Sequence, residues 1–359
     1  LQNPPPTPPL REGDSWLPPS WKETKASSLR EEVGGGFRVK LPFTLTPDQT
    51  SVLDEILQDM RSGNRMFRLV QGDVGCGKTA VGLMAADAVV ASGYQAAFMM
   101  PTTLLAMQQY EWFCQVSNHR VALLTGNEKG KTREDILARL KNGEIDILIG
   151  THALIEHWVE FKNLGLCVID EQHRFGVRQR RKLTSKNEQA HILLMTATPI
   201  PRSLTLAYYG EMEISQILHK PANRKPIATY IMSAKKLPEI YASIKRALAD
   251  GEKIYWICPL VEETEKSDLA AAVQRYEELQ KIYGSQVALV HGRLKEHEKE
   301  EVLQKFLAGE HKILVATTVI EVGINVPDAT IMFIEHAERF GLSQLHQLRG
   351  RVGRGNKQS

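Results

Sequence analysis

Gly72-Asp73-Val74-Gly75-Cys76-Gly77-Lys78-Thr79 fits G-x-x-x-x-G-K-[ST], the pattern of a loop that cradles nucleotide phosphates. Its surroundings fit as well. The apolar run Met66-Phe67-Arg68-Leu69-Val70 reads as a strand leading in. Ala80 to Ala91 reads as a helix leading out, with no interior break stronger than Gly82. Gly72, Gly75 and Gly77 let backbone N–H groups converge on phosphate oxygens, and the following helix N-terminus adds partial positive charge. In this pattern Lys78 reaches the β- and γ-phosphates and Thr79 holds Mg²⁺. The expected ligand is ATP with Mg²⁺.

Downstream, apolar strands end repeatedly in small or charged residues. Ala96–Met100 runs into Pro101-Thr102-Thr103, and Ile145–Ile149 into Gly150-Thr151-His152. Leu166–Ile169 runs into Asp170-Glu171-Gln172-His173, and His191–Met195 into Thr196-Ala197-Thr198-Pro199. Near-continuous apolar strands separated by helical stretches predict an α/β fold with a mostly parallel sheet flanked by helices. In such sheets ligands lie beyond the carboxyl ends of the strands, where all these short motifs fall. Asp170 is placed to hold Mg²⁺ through oxygen and water, and Glu171 to orient and deprotonate an attacking water.

A second unit of the same kind follows. Lys253–Pro259, Val287–Gly292 and Lys312–Thr318 read as strands ending in loops, and no further phosphate loop accompanies them. The chain then carries Gln347-Leu348-Arg349-Gly350-Arg351-Val352-Gly353-Arg354. Arg351 and Arg354 are spaced i, i+3, so on a helix they share one face. They fit charge stabilisation at a γ-phosphate, as arginine fingers provide, or alternatively a basic helix binding polyanions.

Together these stretches resemble a superfamily 2 (DEAD/DEAH-type) helicase core of two tandem RecA-like domains, and most closely the RecG type. The phosphate loop, Asp170 through Arg180, Met195 through Arg202, Trp256 through Glu263 and Val319 through Gly323 carry the likeness, which covers about residues 38 to 355. Gln172 and the run Cys258–Glu263 favour RecG over the related transcription–repair coupling translocase Mfd, which stays open as an alternative. So does a nucleotide-dependent binding module without motor activity. The resemblance implies an ATP-dependent DNA helicase or translocase (an ATP hydrolase) acting on branched DNA, replication forks and Holliday junctions, in recombination and repair. Further implied partners are single-strand-binding protein or other replication–repair factors, and the implied location is the bacterial cytoplasm, with the nucleoid.

The resemblance also assigns residues. Phe43 and Gln49 read adenine, although Thr46 as N-cap, Pro47 at N1 and Gln49 at N3 form a capping box by themselves. Gly323 belongs to the nucleotide set. His173, Thr196, Thr198 and Gln347 couple hydrolysis to movement. Pro101, Thr102, Gly150, Thr151, His152, Thr317 and Thr318 face DNA, where hydroxyls and N–H groups suit phosphates and track a strand without reading bases. Asn325 stands where the family often has Asp, so the bonding there departs from the usual pattern.

Composition agrees with an intracellular protein. The 359 residues are 42% hydrophobic and carry a net charge of +3, so affinity for DNA has to come from local patches such as Arg174, Arg178, Arg180, Arg181 and Lys182. Each of these is equally readable as a solvated face. Cys76, Cys114, Cys167 and Cys258 show no metal or disulfide spacing, which fits a reducing cytosol. Cys76, beside Lys78 at a helix start, is either a reactive low-pKa thiol or an inert small residue. No run of about 18 apolar residues suggests a membrane partner. Residues 1–36 hold seven prolines in the first twenty and a Gly34-Gly35-Gly36 run, which predicts a linker or insertion. The expected domains are 37–222 and 223–359. RecG-type proteins also have an N-terminal wedge domain and a C-terminal helical hairpin, so the sequence reads as the motor alone, cut after motif VI.

Overall fold

The computed structural model describes residues 39–171, 189–197, 212–219, 227–259, 265–317, 326, 328–353 and 359. His173, Thr198, Thr318, Gly323, Asn325, Arg354, the Arg174–Lys182 patch and the 1–36 segment lie outside the described residues. The chain divides into two compact units, 1–221 and 222–359.

The first unit runs α1 (Pro47–Arg61), β1 (Phe67–Gly72), α2 (Lys78–Ala91), β2 (Gln95–Met99), α3 (Thr103–Val116), β3 (Val121–Leu124) and α4 (Gly130–Asn142). It continues with β4 (Ile147–Gly150), β5 (Leu164–Asp170), β6 (His191–Thr196) and β7 (Glu213–Ile217). The seven strands form one sheet in the order β3-β4-β2-β5-β6-β1-β7, and every pairing is parallel. Strands β2, β4 and β6 are buried at every residue, which a parallel sheet covered on both faces requires. The rim strands β3 and β7 alternate in burial instead.

Helix α1 starts as its sequence dictates. The Thr46 N–H donates to Gln49 Oε1 (2.8 Å), and the Gln49 N–H to Thr46 Oγ1 (3.3 Å), with Pro47 in the first turn. Such a cap contributes about 1 kcal/mol. The helix buries Val52, Leu53, Ile56, Leu57 and Met60 along one face. Arg68 of β1, 7% exposed, is neutralised by Glu55 (2.8 Å) and Asp59 (2.7 Å) and donates to Ser215 Oγ, tying α1, β1 and β7 together. His191 at the start of β6 accepts the Met66 N–H at Nδ1 (3.0 Å), and burial lowers its pKa to about 4, so the imidazole is neutral at physiological pH.

The second unit contains α5 (Leu237–Ala249), β8 (Lys253–Ile257), α6 (Glu265–Tyr283), β9 (Val287–Val290), α7 (Glu296–Ala308), β10 (Ile313–Ala316), β11 (Ala329–Ile334) and α8 (Leu342–Arg349). Its parallel sheet has the order β11-β8-β10-β9. The core centres on Trp256, whose ring lies 4.9 Å from Phe333 and 6.1 Å from Tyr241. Its indole N–H donates to Glu335, which also receives Arg275. Both units are RecA-like α/β sheets flanked by helices, as predicted. Strands β3, β7 and β11 are additions to that expectation.

Among the described residues no helix is long and apolar enough to cross a membrane. No cluster of three or more His, Cys, Asp or Glu residues there could hold a metal ion.

Candidate functional site

Strand order sets the geometry of the first unit's carboxyl edge. Asp170 at the end of β5 pairs in register with Met195, and Thr196 at the end of β6 pairs with Gln71. The ends of β5, β6 and β1 therefore stand side by side, bringing Asp170, Thr196 and Gly72 to one stretch of the edge. The loop from Gly72 turns directly into α2. Gly75 (φ 75°) and Gly77 (φ 88°) adopt the left-handed backbone that residues with a Cβ resist. Gly77 is doubly fixed, because a Cβ there would fall 2.2 Å from Gln49 Nε2. As N-cap of α2 it brings no side chain to the first-turn N–H groups, leaving them for an anion.

Lys78 is 8% exposed and its Nζ donates to the loop's own carbonyls at Gly72 (2.7 Å) and Asp73 (3.1 Å). Thr79 follows it in the first turn of α2. The Glu171 N–H donates to Asp170 Oδ1 (3.0 Å). Glu171 has φ 48°, one of two non-glycine residues at positive φ among those described. Such strain costs about 1–3 kcal/mol and concentrates at functional positions.

Gln49 takes the capping role foreseen for its region and adds a contact that was not foreseen. It is 1% exposed, completes the α1 capping box, and its Nε2 donates to the Cys76 carbonyl (2.7 Å). The amide thus braces the phosphate loop. Phe43, by contrast, is 47% exposed ahead of α1.

The Cys76 thiol was open between a reactive and an inert reading. Its side chain is buried, and burial pushes its pKa up despite the opposing pull of Lys78. The inert alternative is the one the structure supports. A maleimide reagent applied to the native protein should label exposed Cys114 and spare Cys76, Cys167 and Cys258. Peptide mass mapping checks this, and rapid labelling of Cys76 would reinstate the reactive thiolate.

The remaining first-unit residues gather at the ends of β2 and β4. Met99 pairs with Gly150, and the Met100 N–H donates to the Gly150 carbonyl (2.8 Å). Thr102 is the N-cap of α3, accepting the Leu105 N–H at Oγ1, and Pro101 precedes it. Gly150 has a structural reason of its own, since a Cβ would lie 1.9 Å from the Leu124 carbonyl oxygen. Thr151 is 3% exposed and its hydroxyl has no hydrogen-bond partner among the described residues. Exposed His152 opens a short 3-10 turn. Sheet order thus separates Pro101–Thr102 and Gly150–His152 from the β5-β6-β1 group.

In the second unit Thr317 follows β10, 3% exposed and with a hydroxyl that has no partner among the described residues. Gln347 is half-buried on α8. Arg351 requires a correction. Helix α8 ends at Arg349 with Gly350 as C-cap, so Arg351 lies in the turn beyond it, 5% exposed. Gly353 then takes φ 69°, the left-handed backbone. Arg351 therefore stands outside the helix on which the spacing argument relied, and Arg354 lies outside the described residues.

One feature passed over in the sequence is the turn after β3. Thr125, 1% exposed, donates its N–H and hydroxyl to the Glu128 carboxylate.

Residues 46–206 match the DEAD/DEAH box helicase family, and residues 235–356 match the helicase conserved C-terminal domain. These matches define the class, a two-domain DEAD/DEAH-type helicase core. The chain is 53% identical over 325 residues to the ATP-dependent DNA helicase RecG of Synechocystis sp., covering 89% of this chain and 39% of that protein. It is 52% identical over 328 residues to RecG of Bacillus subtilis, covering 90% and 48%. A solved structure of RecG bound to a three-way DNA junction superposes with a TM-score of 0.75 at 45% identity, covering 88% of this chain and 42% of the other. The chain belongs to the RecG family, and it spans half or less of the length of these relatives.

Proposed function

We propose that this chain is the ATP-driven motor of a RecG-type DNA helicase, working on branched DNA in the bacterial cytoplasm. The observation that carries it is the division of one carboxyl edge into two neighbouring groups. The ends of β1, β5 and β6 carry the phosphate loop with Asp170 and Glu171, and the ends of β2 and β4 carry small polar residues suited to a phosphate backbone. The RecG relative bound to a three-way junction supports branched DNA as the substrate.

The residues present fit Mg²⁺-ATP. Two left-handed glycines, an uncapped helix N-terminus and Lys78 make a phosphate cradle, while Thr79 and Asp170 offer hard oxygen ligands for the metal, which neutralises charge developing at the phosphates. Lys78 exchanges its carbonyl partners for phosphate oxygens. Glu171, turned by its left-handed backbone, orients the attacking water and takes its proton. Gln49 holds the loop in shape, with Phe43 and Gly323 completing the nucleotide set. Arg351 and Arg354 supply positive charge for the transferring phosphoryl group. His173, Thr196, Thr198 and Gln347 transmit the change, and Pro101, Thr102, Gly150, Thr151, His152, Thr317 and Thr318 hold the strand.

Thr151→Val tests the DNA half of this reading. A buried hydroxyl without a partner contributes nothing to folding, so Val should leave the melting temperature unchanged or raise it. A hydroxyl bonding a phosphate contributes about 1.5–3 kcal/mol, so affinity for single-stranded DNA should fall roughly 10- to 100-fold. Fluorescence anisotropy and thermal melting measure the two quantities. Lower stability with unchanged DNA affinity would make Thr151 a packing residue and defeat the assignment.

A further inference from the structure

Asp48, in the first turn of α1, gathers three donors on a single oxygen. Its Oδ2 accepts the Leu218 N–H (2.8 Å), the His219 N–H (2.8 Å) and the His219 ring Nδ1 (2.9 Å). A carboxylate only accepts, so that ring nitrogen carries the proton. The His219 N–H foremost holds the Asp48 carboxyl below the usual carboxylate range. The His219 side chain is largely exposed, and exposed ion pairs contribute little to folding. Folding stability thus gives little reason for such a contact, whereas its place in the chain gives one. It joins α1 to the segment leaving β7, two residues ahead of Pro221, where the first unit ends.

Two routes connect this clasp to the phosphate loop. The first runs through α1. Gln49, the residue after Asp48, donates from Nε2 to the Cys76 carbonyl (2.7 Å). The second runs through β7. Gly72 pairs in register with Ile217, and a Cβ on Gly72 would fall 3.0 Å from the Ile217 carbonyl oxygen. One residue earlier on each strand, Gln216 Nε2 donates to Gln71 Oε1 (3.0 Å). Leu218 and His219 follow Ile217 directly. The contacts therefore close a ring, from Gly72 to Ile217, from His219 to Asp48, from Gln49 to Cys76, and back along the loop.

The loop within that ring changes its bonding when it is loaded. In the free protein the Gly72 and Asp73 carbonyls hold the Lys78 ammonium, and phosphate oxygens outcompete them. Gly72 and Cys76, the loop residues that touch β7 and α1, stand on either side of that exchange. Resting on the reading of Gly72–Thr79 as the nucleotide's phosphate loop, we infer that the Asp48–His219 clasp is a latch through which loading of the loop tightens the chain's exit from the first unit. Asp48 and His219 are positioning residues, acting through Gln49 and Ile217. Coupling between two sites is reciprocal, so a clasp tightened by nucleotide tightens nucleotide binding by the same factor.

Hydrogen exchange of the full chain, resolved to single amides and followed with and without Mg²⁺ and a non-hydrolysable ATP analogue, reads the clasp directly, because the Leu218 and His219 N–H groups are its donors. Nucleotide should slow exchange at both about tenfold, within the usual range of coupling between sites. Titration with a fluorescent ATP analogue reads the reciprocal quantity. Asp48→Ala should weaken binding by about the same factor and abolish the effect of nucleotide on the two amides. Asp48→Asn keeps an acceptor without the charge and should shift both readings the same way by less, so it carries the test if the Ala variant melts early. His219→Ala removes only the ring's bond and should fall between wild type and Asp48→Ala. Unchanged exchange at Leu218 and His219 in a wild type that binds the analogue overturns this inference alone, and any weaker binding by the Asp48 variants is then a local fault of α1. Wild-type affinity in both Asp48 variants overturns it equally. A wild type that binds the analogue no more tightly than Lys78→Ala overturns the phosphate-loop reading and this inference with it.

Discussion

Lys78→Ala is expected to abolish ATP turnover, and Glu171→Gln to leave nucleotide binding near normal while slowing hydrolysis roughly 10²–10⁴-fold, the range of a lost general base. The two variants separate because the residues do different work. Lys78 is the cation of a loop whose other contacts are neutral N–H groups, and its present partners are two carbonyls that phosphate oxygens outcompete. Its removal takes away both binding and charge neutralisation. Glu171 stands at the end of β5 beside Asp170, held at φ 48°. Gln keeps that backbone and the side-chain volume but cannot take a proton. Binding of a fluorescent ATP analogue, followed by single-turnover hydrolysis with and without DNA, distinguishes the two. Near-normal turnover by Glu171→Gln would end its assignment as base, and normal turnover by Lys78→Ala would remove the phosphate loop from the mechanism.

How much of this was legible in the sequence depended on how narrowly the chemistry constrains the residues. A phosphate cradle needs glycine where φ is positive and lysine at a fixed offset, so Gly75, Gly77 and Lys78 announce themselves. Strands β1, β2, β4, β5 and β6 are largely or wholly buried and read as continuous apolar runs. Strands β3 and β7 lie at the two rims of the sheet, where Val121–Leu124 is short and Glu213–Ile217 is half polar, so neither stood out. Arg351 misled for a different reason. Spacing in sequence implies a shared face only if the helix continues, and α8 ends at Arg349. The Gln49–Cys76 bond spans 27 residues, and the turn of Thr125 on Glu128 needs a side chain to fold back. Tertiary contacts of these kinds leave no periodic trace.

Asp87 is the residue of the first unit whose loss should cost most in stability. Helix α2 is apolar nearly all round, with Val81, Leu83, Ala85, Ala86, Ala88 and Val89 buried, yet Asp87 in their midst is 0% exposed. Its Oδ1 meets His119 Nε2 at 2.5 Å, and His119 is itself 7% exposed in the connection ahead of β3. The pair joins the helix that begins at the phosphate loop to the far rim of the sheet. Burying two polar groups is costly, and their mutual bond offsets part of that cost. Asp87→Ala strands the imidazole and opens a void, so a loss of about 3–5 kcal/mol is expected, against a typical total of about 5–15 kcal/mol. Asp87→Asn keeps an acceptor for an imidazole N–H and should cost less. Adding His119→Ala to Asp87→Ala should recover part of the loss, because the stranded partner is gone. Urea unfolding of the four proteins measures the cycle. Additive single effects, with no recovery in the double variant, would show that each residue packs independently and that the contact between them contributes nothing.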